Sequence, residues 1–119
     1  MPPITTHVLD TSSGEPAVNI RIVLEKCTHE PKGNHEEYAW EFLNEEMTNQ
    51  DGRAPGISAG LTIEPSVYRC IFFTQDYFNA KGIATFYPRV EVMFRIMDVD
   101  SHYHIHTEVF LYIVFSNII

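Results

Sequence analysis

The sequence predicts an all-β sandwich of two antiparallel sheets carrying one short helix. Three observations point to that class. Several short runs rich in Val, Ile, Thr, Tyr and Phe alternate apolar with polar residues, which is the period-two pattern of half-buried strands. Turn signals built on Gly, Pro and Asp separate those runs. Apolar residues make up 45% and aromatic residues 13% of the 119 positions, enough to fill the core of one domain over residues 1–119 and too few for two.

The elements follow in order. Residues 4–10, ITTHVLD, form the first strand; Thr5, His7 and Leu9 face one way, and Ile4, Thr6 and Val8 the other. Residues 11–16 make a turn through Gly14 and Pro16. Residues 20–26, IRIVLEK, alternate as the second strand, and the charged stretch 27–37 with Pro31, Gly33 and Asn34 reads as an exposed hairpin loop. Residues 38–47 return as a strand whose packing residues are Trp40, Phe42 and Leu43. Asp51-Gly52 is a strong turn signal, and Arg53 follows it directly. Residues 68–74, YRCIFFT, form the next strand. Residues 75–81, QDYFNAK, suit a short helix stopped by Gly82. Residues 89–97 alternate again, with Val90, Val92 and Phe94 on one face. Residues 101–108, SHYHIHTE, lead into the apolar run 109–115. The sum is about seven strands and one helix.

Charge and composition remove several classes of function. A formal net charge of −8 argues against a nucleic-acid surface, which needs an excess of Lys and Arg. The most apolar run, 109–115, is too short to span a bilayer, so no membrane partner is expected. Residues 1–7, MPPITTH, lack the basic and apolar regions of a secretory leader. The expected setting is cytoplasmic, with the peroxisome as the alternative, although the ending SNII is not of the SKL type. Cys27 and Cys70 lie in apolar strand-like runs without metal-type spacing, and they read as buried free thiols.

Three features could carry chemistry: His7 within a strand, Arg53 just past a turn, and the run HYHIH with His102, His104 and His106. At a strand's period the three histidines of that run project from one face. Imidazoles exchange protons near neutral pH, and a nearby guanidinium offers fixed positive charge to an anion or a developing oxyanion. Each feature also has an ordinary explanation. A single strand histidine is commonly structural, an arginine after a turn is commonly solvated, and alternating histidines also suit zinc. Spacing alone does not bring the three together.

A resemblance carries the reading further. ITTHVLDTSSGEPA, TNQDGR, QDYF, the Phe86-Tyr87-Pro88 step before VEVMF, and SHYHI occur here in order. In that arrangement the sequence resembles the transthyretin-like family of 5-hydroxyisourate hydrolases, from Ile4 to about Ile105. The resemblance implies a transthyretin-type sandwich assembled as a homotetramer, with channels between the dimers and an active site at each channel end. It implies that His7, Arg53 and His104 are catalytic and that His7, Arg53 and His102 contact the substrate. The implied reaction is opening of the 5-hydroxyisourate ring by water, giving 2-oxo-4-hydroxy-4-carboxy-5-ureidoimidazoline, with no metal and no organic cofactor.

Residues 106–119 depart from the family. His106 stands where the family has proline, and the terminal Tyr-Arg-Gly-Ser is absent. The run 109–115 has the length and β-branched content of a substitute strand; the alternative is a tail that leaves a sheet edge open. Two other functions compete with the hydrolase: a ligand carrier of the same fold, and an inactive isoform.

Overall fold

The computed structural model describes the backbone of residues 3–109 and 114–118 and the side chains of residues 3–104. Among the described residues eight strands form two four-stranded sheets, and one helix accompanies them. In chain order they are β1 (Ile4–Asp10), β2 (Glu15–Pro16), β3 (Arg21–His29), β4 (Ala39–Met47), β5 (Ser66–Phe72), α1 (Thr74–Ala80), β6 (Val90–Ile96), β7 (Tyr103–Val109) and β8 (Val114–Ile118). One sheet has the order β2-β1-β7-β8 and the other β4-β3-β5-β6. The two-sheet sandwich expected from the sequence is therefore the observed architecture.

Five of the six strand pairings are antiparallel; β1 and β7 run parallel. Only strands close in sequence are joined by hairpins that force opposite directions. Because β1 and β7 lie at opposite ends of the chain, no hairpin constrains them.

The core is made by the inner face of each strand. Ile4 and Val8 of β1 meet Ile22 and Leu24 of β3 and Tyr68 and Phe72 of β5, all essentially inaccessible. Each such side chain contributes roughly 1.5–3 kcal/mol by leaving water. Burial alternates strictly along β1, as its sequence predicts, so Thr5, His7 and Leu9 lie on the face away from the core. Val90, Val92 and Phe94 likewise share the inner face of β6.

Two expectations need correction. Phe42 is not a packing residue: it is 55% exposed, whereas Leu43 packs on the core. The register explains the reversal. Leu24 stands opposite Asn44 and Glu25 opposite Phe42, so Leu43 is the extra residue of a β-bulge, and a bulge shifts which side chains face inward. Nor is 109–115 one strand. Val109 ends β7 and Val114 begins β8, and the two residues are partners in the antiparallel β7–β8 pairing; residues 110–113 between them lie outside the described residues.

Helix α1 begins at Thr74 and buries Tyr77 and Phe78. It stops as expected at Gly82, whose φ of 73° lies in the left-handed region. The amides of Gly82 and Ile83 donate to the carbonyls of Asn79 and Phe78, a glycine-terminated closure of the last turn. Cys27 and Cys70 are both buried and unbonded to each other, and burial pushes the Cys70 thiol up to about 12. Among the described residues no helix is long and apolar enough to cross a membrane.

Candidate active site

The site is organised around β1. On one edge β1 pairs with β7 in a register that sets Thr5 beside His104 and His7 beside His106. The start of this pairing is fixed by the Tyr103 amide, which donates to the Pro3 carbonyl at 2.8 Å. On the other edge β1 meets the turn that carries Arg53. The Val8 amide donates to the Gly52 carbonyl at 2.8 Å, and His7 and Arg53 form an isolated antiparallel bridge. Residues paired in this way present their side chains to the same face of a sheet.

The turn owes its shape to two residues. Asn49 holds it from inside: its Oδ1 accepts the amides of Asp51 at 2.9 Å and Arg53 at 3.0 Å. Side-chain acceptance of this kind is how asparagine shapes turns. Gly52 has φ 76° and lies so close to β1 that a Cβ there would collide with the Val8 carbonyl oxygen. Glycine is required on both counts. Further along, the buried Ser58 hydroxyl donates to the Ile4 carbonyl at 3.0 Å and accepts the Ile4 amide at 3.3 Å, fixing the following segment to the start of β1.

Three imidazoles described here gather on the outer face. The His7 and His104 ring centres are 6.3 Å apart at an interplanar angle of 38°. Those of His102 and His104 are 6.5 Å apart and nearly parallel. Thr5 stands between the latter two. Its Oγ1 is 2.7 Å from Nδ1 of His104 and 3.2 Å from Nε2 of His102. The structure thus brings His7, His102 and His104 together and bridges Arg53 to His7 through the main chain. The side chain of His106 lies outside the described residues. Among those described, no three His, Cys, Asp or Glu side chains converge as ligands of one metal ion.

Sequence reasoning missed Thr5 and Asn49. Thr5 carried a signal, being two residues before His7 and so on the same strand face. Asn49 carried a weaker one, as a turn-former shortly before Asp51-Gly52.

A second polar cluster closes the far end of β1. The Asp10 carboxylate, 1% exposed, accepts from the Tyr77 hydroxyl at 2.8 Å and lies 3.3 Å from Nζ of Lys81. It also accepts the Ser12 hydroxyl and amide. Burial alone would push its carboxyl up; the hydrogen bonds from Ser12, Tyr77 and Lys81 together outweigh this and hold it below the usual aspartate range. These contacts dock α1 onto the strand that carries His7. A cleft of about 420 Å³ opens nearby between α1 and the start of β3, lined by residues such as Arg21, Phe73 and Lys81. It is separate from the histidines.

Known proteins share this arrangement of elements. Residues 4–113 match the HIUase/Transthyretin family. The 5-hydroxyisourate hydrolase of Mus musculus is 37% identical over 103 residues, covering 87% of this chain and 82% of the mouse protein. A probable 5-hydroxyisourate hydrolase of Caenorhabditis elegans is 35% identical over 102 residues, covering 86% and 70%. In fold, the chain is similar to transthyretin from Sparus aurata, with a TM-score of 0.88 at 19% identity over 100% of this chain and 97% of that one. It is also similar to the Klebsiella pneumoniae 5-hydroxyisourate hydrolase, with a TM-score of 0.78 at 24% identity over 97% and 96%. The sandwich, the family match and the two relatives agree: this chain belongs to the HIUase/Transthyretin family.

Proposed function

We propose that this protein hydrolyses 5-hydroxyisourate, using His7, His104 and Arg53 as catalytic groups and His102 as a further substrate contact. The observation that carries the reading is the 6.3 Å separation of the His7 and His104 rings, with His7 on the strand that Arg53 bridges. Two imidazoles at that distance can hold one water between ring nitrogens. A neutral imidazole accepts a proton as the water oxygen bonds to the ring carbonyl carbon. The carbonyl oxygen becomes negative, and the Arg53 guanidinium supplies the compensating charge. The cyclic C–N bond then breaks, its nitrogen takes the proton from the imidazolium, and the new carboxyl group is released as carboxylate. No step calls for a metal or an organic cofactor.

The histidines lie on an outer sheet face, with His7 and His104 half-buried. We place a second copy of the chain over that face, in a homotetramer, so that two such faces enclose a channel and exclude bulk water from the reacting ring. The family match and the mouse relative support the reading, and a purely apolar ligand gives little reason to gather three imidazoles on one sheet face beside the turn that carries Arg53.

The test is to oxidise urate freshly and follow the decay of 5-hydroxyisourate by its ultraviolet absorbance. The wild-type chain is expected to accelerate the decay, and Arg53→Ala and His104→Asn to lose roughly a hundredfold or more of that acceleration. A well-folded wild-type protein without acceleration would overturn the reading in favour of a ligand carrier of the same fold.

A further inference from the structure

We propose that Asn49 is a positioning residue for the reaction: it takes the place of a neighbouring strand on the outer side of Arg53, so that the arginine main chain is held from both sides and its side chain leaves the turn in a fixed direction. This rests on the hydrolase reading above, in which Arg53 is catalytic, and adds to it a residue that acts through Arg53.

The geometry of the bridge between β1 and the turn shows why such a residue is needed. His7 stands opposite Arg53, and the bond from the Val8 amide to the Gly52 carbonyl belongs to the next pair along. Bonded and non-bonded pairs alternate in antiparallel pairing, so His7 and Arg53 form the narrow, non-bonded kind. Facing side chains are closest in such a pair, while the amide and carbonyl of each residue point away from the other. Within a wider sheet, a further strand would meet the outward groups of Arg53. Here Asn49 meets both. The Arg53 amide donates to Asn49 Oδ1 at 3.0 Å, and the Asn49 amide donates to the Arg53 carbonyl at 2.8 Å. Asn49 also takes the amides in between, that of Asp51 on Oδ1 and that of Gly52 on its own carbonyl, each at 2.9 Å.

Asn49 is anchored in turn by its buried neighbour Thr48. The Thr48 amide donates to the Ile20 carbonyl at 2.9 Å, and its carbonyl accepts the Asn19 amide at 3.0 Å. Its hydroxyl accepts the Ile20 amide at 2.9 Å and donates to the Ala17 carbonyl at 2.6 Å. A continuous path of hydrogen bonds therefore runs from the segment ahead of β3, through Thr48 and Asn49, to the main chain of Arg53.

Removing the Asn49 side chain should disturb the reaction more than the fold. Asp51 and Arg53 are exposed, so water replaces the lost acceptor at little cost in stability. The fixed direction of the arginine is lost, and a small displacement of a charged group from a developing oxyanion costs rate steeply.

The experiment is a double-mutant cycle on 5-hydroxyisourate hydrolysis with wild type, Asn49→Ala, Arg53→Ala and the double variant, each verified as folded by circular dichroism. Asn49→Ala is expected to lower kcat roughly tenfold with KM within about threefold. In the Arg53→Ala background the same change should alter kcat by less than about twofold, because the group that Asn49 positions is gone. Asn49→Asp keeps an oxygen that accepts the same amides and should recover most of the loss. Equal losses in the two backgrounds would mean that Asn49 does not act through Arg53 and would overturn the proposal. Wild-type kcat in Asn49→Ala, or no recovery with aspartate, would overturn it as well. Amide hydrogen exchange followed by NMR reads the turn directly: the Arg53 amide should exchange roughly tenfold faster in Asn49→Ala than in wild type, and equal rates would overturn the proposal. Failure of the wild type to act on 5-hydroxyisourate would overturn the hydrolase reading, while the exchange rates still decide whether Asn49 holds Arg53.

Discussion

The backbones of His7 and Arg53 form an isolated antiparallel bridge, and the adjacent carbonyl of Gly52 accepts the Val8 amide. The position of the Arg53 main chain relative to the strand that carries His7 is therefore set by contacts between a strand and a turn, and any change that pushes the two apart should be felt at the site.

Gly52→Ala is the sharpest such change. A left-handed φ and a collision with the Val8 carbonyl together should cost roughly 2–3 kcal/mol. Turnover of 5-hydroxyisourate should fall even where the protein remains folded, because Arg53 moves with the turn. Denaturant unfolding and initial rates at a temperature well below the transition measure the two effects separately. Wild-type stability in this variant would contradict the described packing.

Asp10 gives stability a dependence on acid. Its folded-state carboxyl lies below the ordinary range, so ionised Asp10 favours the native state. That contribution is complete above the unfolded value near 3.8 and is lost as pH falls through the lower folded value. Asp10→Asn should cost roughly 2 kcal/mol at pH 7, because the charge facing Lys81 is lost and one of the two oxygens that accept from Ser12, Tyr77 and Lys81 becomes an amide nitrogen that cannot accept. The gap between variant and wild type should narrow as pH drops below about 4. Urea unfolding at neutral and acid pH checks both; a gap constant with pH would exclude Asp10 as the source.

Thr6→Val should stabilise. Thr6 is 1% exposed on the inner face of β1, and its hydroxyl has no hydrogen-bond partner among the described residues. Replacing a buried hydroxyl that lacks a partner by a methyl group should gain about 1 kcal/mol. The measurement is the denaturation midpoint, and a loss of stability would mean that the hydroxyl is bonded.

Arg69 is the anchor of the outer face of the other sheet. It pairs with Glu25 at 2.7 Å and Glu91 at 2.6 Å and lies 4.3 Å over the Trp40 ring. Arg69→Ala should cost roughly 2 kcal/mol, since Glu25 is largely buried beside it. Arg69→Lys should recover less than half, because an ammonium cannot both fork to carboxylates and stack on an indole. Full recovery by lysine, read from unfolding midpoints, would show that charge alone matters.

Much of this was written in the residues. The strict alternation of ITTHVLD is matched by the burial of β1, because a strand's two faces follow its sequence directly. The stop of α1 at Gly82 and the tight turn at Asp51-Gly52 were legible for a similar reason: a left-handed φ is a local demand that glycine meets. Phe42 was misread because a bulge is decided by the partner strand. A substitute strand over 109–115 was misread because only the antiparallel pairing of Val109 with Val114 shows that the run is divided between two strands.

Local pattern thus determined the strand faces, the helix stop, the Asp-Gly turn and the presence of histidines at alternate positions, since each depends on a few neighbouring residues. Tertiary structure alone decided that β1 and β7 run parallel, that Thr5 stands between His102 and His104, and that Arg53 joins the same strand as His7. Those are relations between residues distant along the chain, and only the closing of the sheets around a shared core brings them into contact.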